Sequence, residues 1–346
     1  MDILKQLSEA IGVSGEEGEV RGIVLDFIRD HVDDIQTDTM GNIIATKHGT
    51  GPEPRLRVMV DAHMDEVGMM VTGYDSNGML KVASVGGLDA RLLPGLRVVV
   101  GEKKLPGVIG VKPIHIASSS ERSKTTDIDG LRVDIGASGK DEAKKKAPLG
   151  TRIGFHSQFE DMGDVVRGKA FDDRAGCAML VTLLQGERFP FDLIASFTVQ
   201  EEVGLRGAKV AAHRAKPDMA IALEGTIADD LPKDEDEDLS PTTELGKGPA
   251  ISVVDRSVIY DKRLNALLTA TAEDLGIAYQ YKQPGVGGTN AGSIALSETG
   301  VPAACVAVPC RYIHSPTAYL NKQDYQNAIR LVREALMRLD AAVLAR

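Results

Sequence analysis

Tryptophan is absent and aromatic residues make up only 4% of this 346-residue chain, so its core has to be assembled from Val, Ile, Leu, Ala and Met within an apolar fraction of 43%. That palette suits layered α/β packing. No run approaches the ~18 consecutive apolar residues a membrane-spanning helix needs. The opening MDILKQLSEAIGVSGEEGEV carries acids where a signal peptide requires a positive region. The chain therefore reads as soluble and cytoplasmic, with no membrane partner. Cysteine is scarce: Cys177, Cys305 and Cys310 form neither a C-x-x-C pair nor an even-numbered framework, which argues against a disulfide scaffold and for reduced, buried thiols. A basic excess is lacking too. Lys and Arg number 40 against 50 Asp and Glu, a formal charge of −10, which argues against a nucleic-acid backbone as a partner, because phosphate binding needs clustered Lys and Arg.

A chain of this length exceeds the usual single core, which predicts two domains or one domain with an insertion. Residues 14–17, SGEE, fit a capping box ahead of a helix with Val20, Ile23, Val24, Phe27 and Ile28 at helical spacing. TMGNIIATK reads as a strand, and LRVMVDAHMDEVGMMV as a buried central strand that leaves the core at Asp61. From 67 to 155 the pattern changes to short segments (MLKVASV, LRVVVG, GVIGV, LRVDIGA) broken by Gly and Pro, the signature of a small β-barrel or sandwich. An inserted β-rich domain is expected there, with 1–66 and 156–346 forming the main domain. In the latter, DDRAGCAMLVTLLQ, AKVAAHRAK, KRLNALLTATAEDLG, AGSIALSETG and 323–344 read as helices, and DLIASFTV, MAIALEG, AYQYKQ and PAACVAVP as strands. This alternation predicts an α/β fold, a mixed, mostly parallel sheet sandwiched by helices. The acidic run DDLPKDEDEDLS, 229–240, reads as a solvated loop.

In open α/β sheets ligands gather beyond the carboxyl ends of the strands. RVMV ends in DAHMDE, IASFTV in QEE, AIAL in EGT and CVAVP in CRYIHSP, while FDDRAG opens a helix. Every one supplies His, Asp or Glu. Singly, His63 or His314 would more often be a structural histidine; together with four carboxylate clusters they make a ligand set for Zn²⁺ or a similar first-row cation. His63 and Asp65, two apart, would share one face of an extended strand, so that Asp65 could orient the imidazole. Glu201 and Glu202 are adjacent like charges. Their repulsion is relieved if consecutive extended positions aim them in different directions and cations lie close by.

DAHMDEVG, GKAFDDRAG, VQEEVGLRGA, IALEGT, GGTNAG and RYIHSP follow one another along nearly the whole chain. In that order they resemble the di-metal aminopeptidases known as glutamyl, deblocking or tetrahedral aminopeptidases, and cellulase-M-like proteins. The resemblance implies a zinc-peptidase-like fold with two divalent ions per subunit, Zn²⁺ first, Co²⁺ or Mn²⁺ otherwise. It places His63 on one ion and His314 on the other, Asp172 across both with a cis peptide to Asp173, and Glu202 and Glu224 on one ion each. Glu201 is left as general base, with Asp65 beside it in the catalytic set. Glu224 stands where aspartate is the commoner family choice. Two divalent ions against the charges of Asp172, Glu202 and Glu224 would leave the site positive, which favours hydroxide over neutral water.

The activity implied is removal of N-terminal residues from peptides by a water bridged between the two ions. A metal-dependent deacylase of N-acyl amino acids and a non-catalytic assembly protein of the same fold are the alternatives. The second is disfavoured because competent residues stand at all the expected positions. The inserted domain would serve dimerisation, with dimers or a tetrahedral dodecamer as the homo-oligomers the family offers. GVGGTNAGSI, 285–294, lacks the lysine and spacing of a phosphate loop and reads as a capped turn into a helix on the cleft wall. His115 reads as structural or as a subunit contact. Arg256 and Arg311 are candidates for a positive residue in the substrate pocket.

Overall fold

Alternation along the central strands decides how the main sheet is covered. Val58, Val60 and Ala62 join Leu193, Ala195 and Phe197 in one apolar cluster, whereas Met59, Ile194 and Ala220 belong to another on the opposite face. The first cluster packs under helices Asp2–Glu9, Gly18–Ile28, Phe171–Gln185, Lys262–Leu275 and Lys322–Met337, the second under Arg206–Ala215 and Asn290–Ala295. A strand apolar on both sides needs helices on both sides. The computed structural model describes residues 1–124, 126–232, 240–285 and 287–345. Most of the acidic run read as a solvated loop, 233–239, lies outside the described residues.

The main sheet is mixed and, among the described residues, has eleven strands. At its centre Asp192–Thr198, Arg57–His63, Met219–Ile227 and Ala303–Arg311 lie side by side and parallel. Antiparallel strands flank them, Ile43–Lys47 on one side and Ala318–Asn321 on the other. Between Gly68 and Phe155 the chain forms a separate closed barrel of six antiparallel strands, with its own core of Met69, Val71, Leu80, Val98, Ile109, Ile153 and neighbours. Closure leaves the barrel no open sheet edge.

Several sequence expectations shift for local reasons. The helix after SGEE starts at Gly18 with no side-chain cap, because the Ser14 hydroxyl donates to Asp65 instead. The strand expected to leave the core at Asp61 continues to His63, with Asp61 fully buried. Asp61 is tolerated there because Ser196 and the Asn290 amide donate to it, the latter at 2.8 Å. AYQYKQ contributes only the two-residue strand Gln280–Tyr281, and AGSIALSETG only Asn290–Ala295. The final helix stops at Met337, and a short turn of helix, Ala341–Leu344, follows.

A buried ionic cluster ties the N-terminal helix to the strand ends. Both oxygens of Glu66 accept from Lys169 Nζ at 2.8 Å, and one also lies 3.2 Å from Arg174 Nη2. Arg174 donates further to the Leu7, Ala10 and Met64 carbonyls, and Lys169 to that of Ala10. Burial pushes the Lys169 ammonium down to about 8 against the pull of Glu66. Removing the Glu66 carboxylate would leave two buried cations without their ion-pair partner. Glu66→Gln is expected to lower unfolding stability by about 3–5 kcal/mol, read from denaturant melts with an unchanged m-value.

Candidate functional site

Because the four central strands run parallel, their carboxyl ends open on one rim. Thr198 pairs with His63 across one strand boundary and Ala222 with Asp61 across the next, so Glu224, two residues on, stands level with His63. His314 follows the fourth strand, which ends at Arg311. Asp172 enters from the start of helix Phe171–Gln185, and its peptide to Asp173 is cis. This turn presses on the neighbouring strand so closely that a side chain at Gly225 would meet the Asp172 Cα at 2.7 Å. Only glycine fits there.

Asp172 is the hub. Its Oδ1 lies 3.2 Å from His63 Nε2 and its Oδ2 3.5 Å from His314 Nε2. His63 Nε2 is also 3.6 Å from Glu224 and 3.9 Å from Glu201; His314 Nε2 is 3.2 Å from Glu202. Donor atoms of Asp172, Glu202 and His314 fall within 4.8 Å of one another, as do those of His63, Asp173 and Glu224, and of His63, Glu201 and Glu202. All seven residues expected in the site, His63, Asp65, Asp172, Glu201, Glu202, Glu224 and His314, thus meet at this rim. Asp173 joins them, though its carboxylate already accepts from the His63 and Gly176 amides.

The ring nitrogens test whether cations fit. His63 Nδ1 faces the Asp65 carbonyl at 3.1 Å and His314 Nδ1 the Gly87 carbonyl at 3.1 Å. A carbonyl only accepts, so each Nδ1 carries hydrogen and each Nε2 is the atom that either binds a second proton or ligates. Both Nε2 atoms point at carboxylates. Glu202 Oε1 is buried and receives no hydrogen bond of proper geometry. Lone pairs of imidazole and carboxylate facing one another in a buried space are the donor chemistry of a divalent first-row cation.

Without cations the charges are held by protons. Burial opposes a charged His63, but Glu201, Asp172 and Asp65 outweigh it and raise its pKa well above the ordinary value. For His314 burial is likewise overcome by Asp172 and Glu202, which lift it to about 11. Burial would raise Asp172, yet the two histidines hold it below the usual carboxylate range. Glu201 goes the other way: burial pushes it to about 8, with His63 opposing and Glu202, Asp172 and Asp65 reinforcing. Glu224 is raised for the same first reason.

The glutamate pair does not sit on extended strand, as its spacing suggested. The strand ends at Thr198, Gln200 turns through φ +57°, and both glutamates lie in the following turn. What separates them is Asp65, whose Oδ1 accepts the Glu201 amide at 2.9 Å and Oδ2 the Glu202 amide at 3.1 Å and the Ser14 hydroxyl at 2.5 Å. The Asp65 main-chain carbonyl, rather than its carboxylate, makes the hydrogen bond to the His63 ring, the carboxylate standing at 3.4 Å. Ser14 was visible only as part of a capping pattern. Asn290 also went unassigned inside GGTNAG: its amide nitrogen donates to Asp61 and Thr198, and its main-chain N–H to Glu224 at 3.3 Å.

Beside the cluster lies a cleft of ≈ 380 Å³ reached by Asp172, Glu201, Glu224, Thr226, Lys282 and His314. Gly287, Gly288 and Thr289, from the glycine-rich segment, form one wall. Neither proposed arginine reaches it. Arg311 is tied to Asp230 at 2.6 and 2.8 Å, and Arg256 is exposed on the Gly285 carbonyl.

A family model described as M42 glutamyl aminopeptidase matches residues 41–331. The lysyl aminopeptidase of Pyrococcus furiosus is 32% identical over 353 residues, covering 98% of this chain and 97% of its own. The structure of a TET aminopeptidase from a marine sediment archaeon superimposes with a TM-score of 0.92 at 37% identity, covering 99% of this chain and 98% of that one. The TET1 peptidase of Pyrococcus horikoshii, which can assemble into a tetrahedron or a large octahedral shell, gives 0.85 at 32%, covering 98% and 99%.

Raised histidine pKa values mean that a cation must displace Nε2 protons. Titrating ion-free protein with Zn²⁺ by calorimetry in buffers of different ionisation heat should reveal proton release, with affinity climbing as pH rises through neutrality. Binding indifferent to pH would contradict the arrangement.

Proposed function

Because the chain belongs to the M42 glutamyl aminopeptidase family, we propose that it removes N-terminal residues from peptides at the cluster built on Asp172, with two divalent cations as cofactors. His63, Asp172 and Glu224 would hold one cation, and Asp172, Glu202 and His314 the other. Zn²⁺ suits this donor set best, and Co²⁺ or Mn²⁺ are compatible with it. When bound, the pair supplies Lewis-acid polarisation of the scissile carbonyl and lowers the pKa of water. The observation that carries this reading is one carboxylate shared by two imidazoles, 3.2 and 3.5 Å away.

Glu201 is the general base. Its carboxylate takes a proton from the water whose oxygen adds to the carbonyl carbon, and returns it to the amine as the C–N bond breaks. Of the carboxylates around His63 Nε2 it stands farthest off, at 3.9 Å against 3.2 Å for Asp172 and 3.6 Å for Glu224. That distance suits a group that must remain free. Asp65 contributes by fixing the Glu201 main chain, hence where the base can reach. The family description names glutamyl residues and one relative lysyl ones, so the preferred side chain depends on what lines this chain's own cleft.

Residues 67–155 are assigned as an inserted dimerisation domain of a homo-oligomer. In support, the barrel region exposes Leu92, Val108, Val111, Ile114 and Ile116, the last two by 63% and 68%. A related TET1 peptidase assembles into closed shells. No helix among the described residues is long and apolar enough to cross a membrane.

Glu201→Gln should lower kcat for aminoacyl anilides by roughly 10²–10⁴-fold, while cation content by elemental analysis and thermal stability stay near those of the parent. Unchanged turnover would refute the assignment of the base. Solution mass by light scattering should exceed that of one chain, and replacing Ile114 and Ile116 together with Asp should shift it downward.

A further inference from the structure

Residues 11–15 are wedged between the rim and the barrel and touch both. On the rim side Val13 bridges to Glu66, the Glu66 amide donates to the Gly12 carbonyl at 2.9 Å, and the Ser14 amide donates to the Glu66 carbonyl at 3.3 Å. On the barrel side the approach is so close that a Cβ on Gly68 would stand 2.6 Å from Val13 Cγ2, and one on Gly154 2.9 Å from Ile11 Cγ2. Outside this contact the packing opens. A cavity of ≈ 240 Å³ lies there, with Ile11, Val13, Glu16, Gly18 and Arg152 among its walls. Where packing leaves space, hydrogen bonds decide where a segment sits.

Arg152 supplies them. It opens the barrel strand Arg152–Phe155, which pairs with Gly68–Tyr74 and Arg97–Val100. Its Nε donates to the Ser14 carbonyl at 2.9 Å, while Nη1 is held within the barrel by the Gly150 carbonyl at 2.7 Å and the Met70 sulfur at 2.9 Å. The guanidinium can lie across the segment because the next residue is Gly15, at φ +84°, where a Cβ would stand 2.8 Å from Nη2. One nitrogen is thus fixed to the barrel and another to the N-terminal segment. From Ser14 the hydrogen bonds continue in series. Its hydroxyl donates to Asp65 Oδ2 at 2.5 Å, and Asp65 accepts the Glu201 amide at 2.9 Å and the Glu202 amide at 3.1 Å. Ser14 and Asp65 are 2% and 0% exposed, so solvent does not compete for these contacts.

We propose that Arg152 is a positioning residue for the general base: from the barrel it sets Ser14, through Ser14 the Asp65 carboxylate, and through Asp65 the place of Glu201. The inference rests on the aminopeptidase reading above, with Glu201 as the base. It makes the barrel part of the catalytic frame, besides the assembly role assigned to it.

The test measures kcat and KM for leucyl and glutamyl anilides on the cation-loaded parent, Arg152→Met, Arg152→Lys and Ser14→Ala, each also in the Glu201→Gln background. Arg152→Met should lower kcat by about 10- to 100-fold, the scale for reacting groups misplaced by roughly 1 Å, with KM close to that of the parent. Ser14→Ala should act in the same direction, and the two together should cost little more than the larger single loss, because both cut one path. In the Glu201→Gln background Arg152→Met should have almost no further effect, since the group it positions is no longer a base. Equal losses in both backgrounds would mark a general loss of packing and overturn the proposal. So would an unchanged kcat in Arg152→Met, a loss confined to KM, or a loss that tracks a fall in solution mass, which would assign Arg152 to assembly. Arg152→Lys, whose single nitrogen cannot stand where both Nε and Nη1 do, carries the same expectations and the same refutations should the methionine variant not fold. If the loaded parent cleaves no anilide, the aminopeptidase reading falls. If Glu201→Gln turns over like the parent, the base assignment falls; if both stand and the Arg152 variants match the parent, only the role of Arg152 does.

Discussion

Asp172 divides its two oxygens between His63 and His314, and each imidazole is pinned at its other nitrogen by a main-chain carbonyl. From that sharing the geometry of the rim follows. A strand end, a loop and a helix start must converge within a few ångströms, and they can do so only because Gly225 leaves the neighbouring strand without a side chain where Asp172 passes. The remaining acids then crowd the same space. Burial without compensation would force protons onto them, and the raised proton affinities of Glu201 and Glu224 express that pressure.

Like charges held close need a rigid frame, and it is polar and buried. Asp65 takes both glutamate amides and is itself anchored by Ser14. Asn290 links Glu224 to Asp61 from the opposite helix layer. Beneath the rim, Glu66, Lys169 and Arg174 clamp the N-terminal helix to the segment that follows His63. The shape of the cleft therefore depends on contacts spanning most of the chain, from Ser14 to His314. Substitutions far from the reacting atoms can reach them through this frame.

The strand-end clusters were legible because parallel strands must place their carboxyl ends together, so any polar residue ending an apolar run is already assigned to one rim. The barrel was legible from its change of pattern between 67 and 155 and its Gly and Pro punctuation. Three things were not. Ser14 looked like a helix cap because S-x-x-E is a local pattern, and its true partner is 51 residues away. The glutamate pair looked extended because nothing local announces that Gln200 turns left-handed. Lys282 carried no signal within AYQYKQ, since its place on the cleft is a property of the surroundings.

The order of apolar and polar residues alone determined the α/β layers, the inserted barrel, and which His, Asp and Glu stand at the strand ends, because periodicity and chain direction are carried by neighbours in sequence. The tertiary structure decided which atom meets which: that Asp65 holds the glutamates by its carboxylate and His63 by its carbonyl, that Asp61 stays buried, and that Lys282 rather than Arg256 or Arg311 lines the cleft. Hydrogen bonds and ion pairs act over about 3 Å in space and are blind to separation along the chain, so such pairings exist only once distant segments have packed.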